Sequence, residues 1–186
     1  ADAKKVSVTF ETNDSGTPVR LVVKDDGSGM DLATVMTGWL EPGTVLKKQS
    51  DRSPGGRLYQ GAKGVGRFAA ARLGDALILE TRKNGSGQVV TVLLEWGRFD
   101  DDSYLDDVDI TYETTVSSQH AEGTTLTIEG LQNRKAWEEQ DFQRLHDRLS
   151  RLISPFDEVK DFRIDLQIPG YPGLTGEVEP HDLTKK

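Results

Sequence analysis

Apolar and polar residues alternate from Lys5 to Phe10, with Val6, Val8 and Phe10 on one side, the pattern of a half-buried strand. The turn-forming run NDSGTP (Asn13 to Pro18) follows, and a second strand from Val19 to Val23 closes a hairpin ending in KDDGSGM. Between Asp31 and Leu40, the residues Leu32, Val35, Met36 and Trp39 share one face of a short helix, and Asp31 suits its N-terminus. A polar stretch rich in Gly, Pro, Ser, Lys and Arg then runs from Glu41 to Gly61, a length that marks a functional or disordered loop. A second helix is predicted over Val65 to Leu73, with Gly74 as its C-cap. Strands are predicted at Ala76 to Arg82, Val89 to Trp96, Val108 to Glu113 and Thr124 to Ile128, with RKNGSGQ (Arg82 to Gln88) as a hairpin turn. Helical spacing returns from Glu138 to Ile153 through Phe142, Leu145, Leu149, Leu152 and Ile153, and Pro155 stops it. Phe162 to Ile168 reads as one more strand with no evident partner. Residues 155–186 are therefore expected to be a C-terminal strand and linker, or the start of a following domain.

The predicted order is ββα, a long loop, α, several hairpin strands, α and β. Hairpins dominate, so the expected fold is α+β: a two-layer α/β sandwich with a mixed, mostly antiparallel sheet and helices on one face. Alternating βαβ units are absent, which argues against a Rossmann-type fold. Phe142, Leu145 and Leu149 are assigned to the core rather than to a partner groove.

Composition narrows the classes of function. The net charge of -8, from 31 acidic and 23 basic residues, argues against broad nucleic-acid binding, though a local basic patch would survive that argument. Without cysteine there is neither a disulfide framework nor a thiolate metal site. His120, His146 and His181 lack metal-ligand spacing, and the acidic run DDDSYLDDVD lacks the order of a calcium loop, so no metal site is assigned. No apolar run approaches the roughly 20 residues that span a bilayer. The opening ADAKKVSV has no signal-peptide core, and a cytoplasmic protein is expected.

Three glycine-bearing motifs carry the candidate chemistry. DDGSGM, at a strand end, is either a turn or a pocket in which Asp25 offers a carboxylate. A carboxylate only accepts hydrogen bonds, so it suits an exocyclic amino group such as that of adenine, and Gly27 and Gly29 would let a flat base approach the backbone. QGAKGVGRF (Gln60 to Phe68) has the glycine spacing of a Walker A loop, but Arg67 and Phe68 stand where Lys and Ser or Thr belong. It is either a hinge or a glycine-rich loop entering a helix, whose free amides form an anion site. EGTTLTIEGL (Glu122 to Leu131) is an ordinary turn before a strand, unless the Thr124 hydroxyl shares hydrogen bonds to a base with Asp25, directly or through water.

In this order the three motifs resemble those of the GHKL superfamily of ATPases, which includes DNA gyrase B subunits, large heat-shock chaperones, mismatch-repair ATPases and sensor histidine kinases. DDGSGM resembles its first glycine box, GAKGVGRFA the second, and GTTLTI the closing box. The wording KGVGRFA is most similar to a bacterial heat-shock-chaperone-like group. The resemblance spans residues 1–154 and implies the Bergerat ATP-binding fold. It implies that Asp25 binds the adenine amino group, that Gly27 and Gly29 line the base pocket with Met30 packed near the base, and that Thr124 joins Asp25 through water. Gly61, Gly64, Val65, Gly66, Arg67 and Phe68 are expected at the phosphates, with Lys63 as a point charge. Residues 38–60 would form the lid, whereas Lys47, Lys48, Arg52 and Arg57 read as solvated lid charges.

In the family, a helix before the first strand carries a Glu general base and a Mg-binding Asn, and ADAKKV resembles its last residues. The catalytic residues are accordingly unassigned, and the ligand for Mg2+ is expected upstream. ATP or ADP is the expected ligand and a nucleotide-dependent homodimer the expected assembly, with neither DNA, a client protein nor a membrane indicated. The alternatives are a non-hydrolysing ATP sensor or scaffold and a histidine-kinase catalytic domain.

Overall fold

The computed structural model describes residues 2–40, 53, 55–56, 70–95, 110–117, 120–133, 136–154 and 162–181. Most of the long polar stretch, the second glycine motif and the acidic run at 100–109 lie outside the described residues. Eight strands form one sheet: β1 (Lys5–Thr12), β2 (Pro18–Asp25), β3 (Ala76–Arg82), β4 (Gln88–Glu95), β5 (Thr111–Val116), β6 (Gly123–Glu129), β7 (Arg163–Gln167) and β8 (Gly176–Glu177). Their spatial order is β5-β4-β3-β6-β2-β1-β7-β8, and every pair is antiparallel except β1 with β7. This is the mixed, mostly antiparallel sheet expected.

Register makes the sheet one-sided. Val8, Val23, Leu126, Leu79 and Val92 form one cross-strand row, and Phe10, Leu21, Ile128, Leu77 and Leu94 the next. Side chains one residue apart point to opposite faces, so both rows face the same way and carry the core. The opposite face shows Lys5, Glu11, Arg20, Lys24 and Glu80, and no helix covers it among the described residues.

Both described helices cover the apolar face. Helix α1 (Leu32–Thr34) begins at Asp31, whose carboxylate accepts from Thr34 N at 2.9 Å and Thr34 Oγ1 at 2.6 Å. The helix expected over Asp31 to Leu40 then becomes π-helical across Val35–Leu40. The i→i+5 pattern widens the turn and carries Leu40 toward the side of Val35, where both meet Leu79, Val90 and Val92. Met36, expected on the buried face, is instead exposed.

Helix α2 (Glu139–Ser150) is started by Asp141, which accepts from Glu138 N at 3.2 Å. Its Phe142 is buried within ring-contact distance of Phe10 (5.1 Å), Trp137 (5.5 Å) and Tyr171 (4.9 Å). Leu152, grouped with this helix by spacing, lies beyond its end and is exposed. Of the helix expected over Val65 to Leu73, the described part is a 3-10 turn, Ala70–Arg72.

The strand without an evident partner has one. β7 lies parallel to β1, pairing Val6 with Ile164 and Val8 with Leu166, and β8 pairs with β7. Ile164, Leu166, Ile168 and Val178 join the same core as Phe10 and Phe142. No helix among the described residues is long and apolar enough to cross a membrane.

Phe142 of α2 meets rings from β1, the segment before the helix and the segment after β7. Phe142→Ala should cost about 3–5 kcal/mol, the range for emptying a buried aromatic site. Urea unfolding followed by tryptophan fluorescence measures it; a loss under about 1 kcal/mol would mean that α2 is not part of the cooperative core.

Candidate functional site

One row of the apolar face is polar. Adjacent pairings align Val6, Asp25, Thr124, Thr81 and Val90 across β1, β2, β6, β3 and β4. Asp25, Thr124 and Thr81 therefore sit side by side, on the core-facing side, one step beyond the Val23–Leu126–Leu79 row. A carboxylate and two hydroxyls at such a place need partners, because burying them unpaired costs free energy.

The two aspartates of DDGSGM do different work. Asp26 is exposed and accepts from Lys4 N at 2.7 Å and Lys5 N at 2.8 Å, tying the β2 exit to the start of β1. Asp25 points inward and accepts from Gly27 N at 2.8 Å. Burial pushes its carboxyl pKa above the ordinary 3.8, against the opposing pull of the Gly27 and Thr124 amides. Geometry thus separates an inward acceptor from a structural neighbour.

The loop after β2 is docked along the end of β3. Asn84 N donates to Ser28 O at 3.0 Å, Met30 N to Thr81 Oγ1 at 2.9 Å, and Lys83 Nζ pairs with Asp31 Oδ2 at 2.7 Å. Gly29 has φ +60°, and a Cβ there would overlap the Arg82 carbonyl oxygen. Its missing side chain is thus required by the approach of two chain segments, a reason the sequence does not supply. Gly123 has φ +111°, and its Cβ would overlap the Asp25 carbonyl. What reads as an ordinary turn glycine is a tertiary requirement beside Asp25.

Of the residues singled out by sequence, Asp25, Gly27, Gly29, Met30 and Thr124 come together here. Met30 packs against the cluster of Val35, Leu79, Val90 and Val92. Gly61, Lys63, Gly64, Val65, Gly66, Arg67 and Phe68 lie outside the described residues. Thr81 was missed. It is fully buried, it accepts from Met30 N, and its hydroxyl lies 3.1 Å from both Gly123 O and Thr124 Oγ1. The available signal was the spacing Leu77, Leu79, Thr81, which puts a hydroxyl at a core-facing position of a strand.

This end of the sheet is rich in acceptors on its core-facing row, which fits a planar ligand that presents a donor to Asp25. Among the described residues no group of three His, Cys, Asp or Glu could hold a metal.

The fold is an α+β sandwich with a polar row at the end of its second strand, and the comparisons give the family. The family of histidine kinase-, DNA gyrase B- and HSP90-like ATPases matches residues 1–124, and the chain belongs to it. A search of the curated proteins finds no match. Among solved structures, the ATPase region of Saccharomyces cerevisiae topoisomerase II bound to ICRF-187 (dexrazoxane) superposes with a TM-score of 0.58 at 15% identity. The match covers 88% of this chain and 42% of that one. The Aquifex aeolicus MutL ATPase domain complexed with ADP superposes with a TM-score of 0.50 at 11% identity, over 97% of this chain and 58% of that one. Both likenesses show the fold. The chain spans about half the length of each.

Two outcomes test this geometry. Gly29→Ala should destabilise by about 1–3 kcal/mol from its φ alone, with the overlap on Arg82 added; a thermal melt unchanged from wild type would contradict the docking of this loop. Asp25→Asn tests the buried charge. With a folded-state pKa above 3.8, the folded protein holds the Asp25 proton more tightly than the unfolded chain. Asp25 therefore costs stability as pH rises through 3.8 to its raised value, and the full cost is present above that. Stability of Asp25→Asn relative to wild type should improve between pH 3.5 and pH 7 in parallel urea titrations; a difference independent of pH would show that burial does not act on this carboxylate.

Proposed function

We propose that the chain binds ATP and ADP through the polar row at the end of β2, as the nucleotide-binding part of an ATPase whose lid closure drives conformational change or dimerisation. One observation carries the reading: Asp25, an inward acceptor with its pKa raised by burial, stands beside Thr124 in the cross-strand row. The adenine amino group donates to Asp25, Thr124 shares the hydrogen bonds to the base, and Met30 packs near its plane. The amides of Gly61, Gly64, Val65, Gly66 and Phe68 meet the phosphates, with Lys63 and Arg67 adding positive charge and Mg2+ accompanying the phosphates. Residues 38–60 act as the lid. The motif wording KGVGRFA supports placement in the bacterial heat-shock-chaperone-like branch, and a nucleotide-dependent homodimer is the assembly this mechanism calls for.

Guanine presents a carbonyl where adenine presents its amino group, so two acceptors would oppose each other at Asp25. Calorimetry on the full chain should show ADP bound in preference to GDP. Asp25→Asn should weaken ADP binding by about 10- to 150-fold, the worth of a charge-assisted hydrogen bond. Equal affinities for ADP and GDP would sink the base-pocket assignment.

A further inference from the structure

Thr81 makes its contacts with an unusually constrained set of partners, and their chemistry fixes where the protons go. A hydroxyl has one proton and two lone pairs. Three groups stand at hydrogen-bond distance from Thr81 Oγ1: Met30 N at 2.9 Å, Gly123 O at 3.1 Å and Thr124 Oγ1 at 3.1 Å. The Met30 amide can only donate, so it occupies one lone pair. The Gly123 carbonyl can only accept, so it takes the Thr81 proton. What remains for Thr124 is the second lone pair, which makes Thr124 the donor.

We infer that Thr81 is a positioning residue that sets the hydrogen-bonding sense of Thr124 and thereby the discrimination between purine bases. The inference rests on the nucleotide reading of Asp25 and Thr124. With all three contacts made, the Thr124 proton points at Thr81 and its lone pairs are what it offers beside Asp25. The row then presents acceptors alone. A ligand acceptor at Thr124 requires the other setting, in which Thr81 turns its proton from Gly123 O to Thr124 Oγ1 and frees the Thr124 proton. Only two hydroxyl protons rotate; every heavy atom stays in place. Adenine needs this second setting, because its ring nitrogen beside the amino group is an acceptor. Hypoxanthine carries a proton on that nitrogen and a carbonyl in place of the amino group, so it meets the first setting at Thr124 and opposes Asp25. Thr81 lies one strand further from Asp25 than Thr124 does, so its effect passes through Thr124.

The experiment compares wild type, Thr81→Val and Thr81→Ser on the full chain, with ADP and inosine diphosphate as probes in calorimetry and a thermal melt without nucleotide as the stability readout. Thr81→Val leaves Thr124 free to donate to adenine without breaking the Thr81–Gly123 bond, and should widen the preference for ADP over inosine diphosphate by about 3- to 10-fold, while Thr81→Ser should hold it to within about twofold. A Thr81 that serves only the fold would lower the melting temperature, or both affinities together, with the ratio unchanged; that result overturns the inference. Should Thr81→Val fail to fold, Thr81→Cys, whose thiol is a weak donor and acceptor, must widen the ratio, and an unchanged or narrowed ratio overturns the inference equally. Wild type that binds neither nucleotide defeats the nucleotide reading and this inference with it. Wild type that prefers ADP by a ratio insensitive to Thr81→Val defeats the inference alone.

Discussion

The Asp25 carboxylate is held on the core-facing side of a sheet whose neighbouring row is Val8, Val23, Leu126, Leu79 and Val92. That placement is what the surrounding structure is arranged to tolerate. A charge in such a setting is stabilised only by donors that reach it, and the backbone supplies them from two directions. Gly27 turns back so that its amide reaches Oδ1, and Thr124 opens β6 with its amide toward the same carboxylate. Both donors require the chain to pass very close to Asp25. Hence Gly123, with positive φ and no room for a Cβ against the Asp25 carbonyl, precedes Thr124.

The same need for close approach explains why the loop after β2 belongs to β3 as much as to β2. Gly29 brings the backbone against Arg82, and Ser28, Met30 and Asp31 each have a partner within Thr81–Asn84. The exposed Lys83–Asp31 pair contributes about 0–1 kcal/mol at most, whereas the Met30–Thr81 bond satisfies a fully buried hydroxyl. The weight of the docking therefore lies with Thr81. Since Thr81 also touches Gly123 and Thr124, one hydroxyl joins the first glycine box, the closing box and the strand between them in space.

Much of this was legible in sequence, and the rest was hidden for definable reasons. β3 was bounded correctly because the apolar run Ala76 to Leu79 opens it and a glycine turn follows it. Asp25 and Thr124 were singled out through motif order, and the sheet places them side by side. The strand expected over Val108 to Glu113 is described as Thr111–Val116, with 108–109 outside the described residues; all six of its residues are exposed, so alternation carries no signal there. The parallel partner of β7 was invisible because β1 lies more than 150 residues away, about the length of a domain, and nothing local encodes that pairing. Thr81 escaped for a subtler reason. Ile78, on the open face, is as apolar as Leu77 and Leu79 on the core face, so the inward position of Thr81 could not be read from polarity alone.

A carboxylate held on the core-facing side of the sheet has a consequence for coupling. Part of the folding free energy is spent on burying Asp25, as its raised pKa records. On the proposed reading, a ligand donor at Asp25 offsets part of that cost, and binding stabilises the folded state through that contact. That contact falls where β2, β6 and β3 meet, and the β2 exit leads through Met30 and Asp31 directly into α1 and its π-helical turn. Val35 and Trp39 of that turn pack on the core, and the chain beyond Leu40 is the stretch read as the lid. On the proposed reading, tightening the row at Asp25 and Thr81 acts on the turn that leads into the stretch read as the lid. A base bound at Asp25 would then act on that turn through Met30 and Thr81, without contact to the glycine-rich stretch at 61–68.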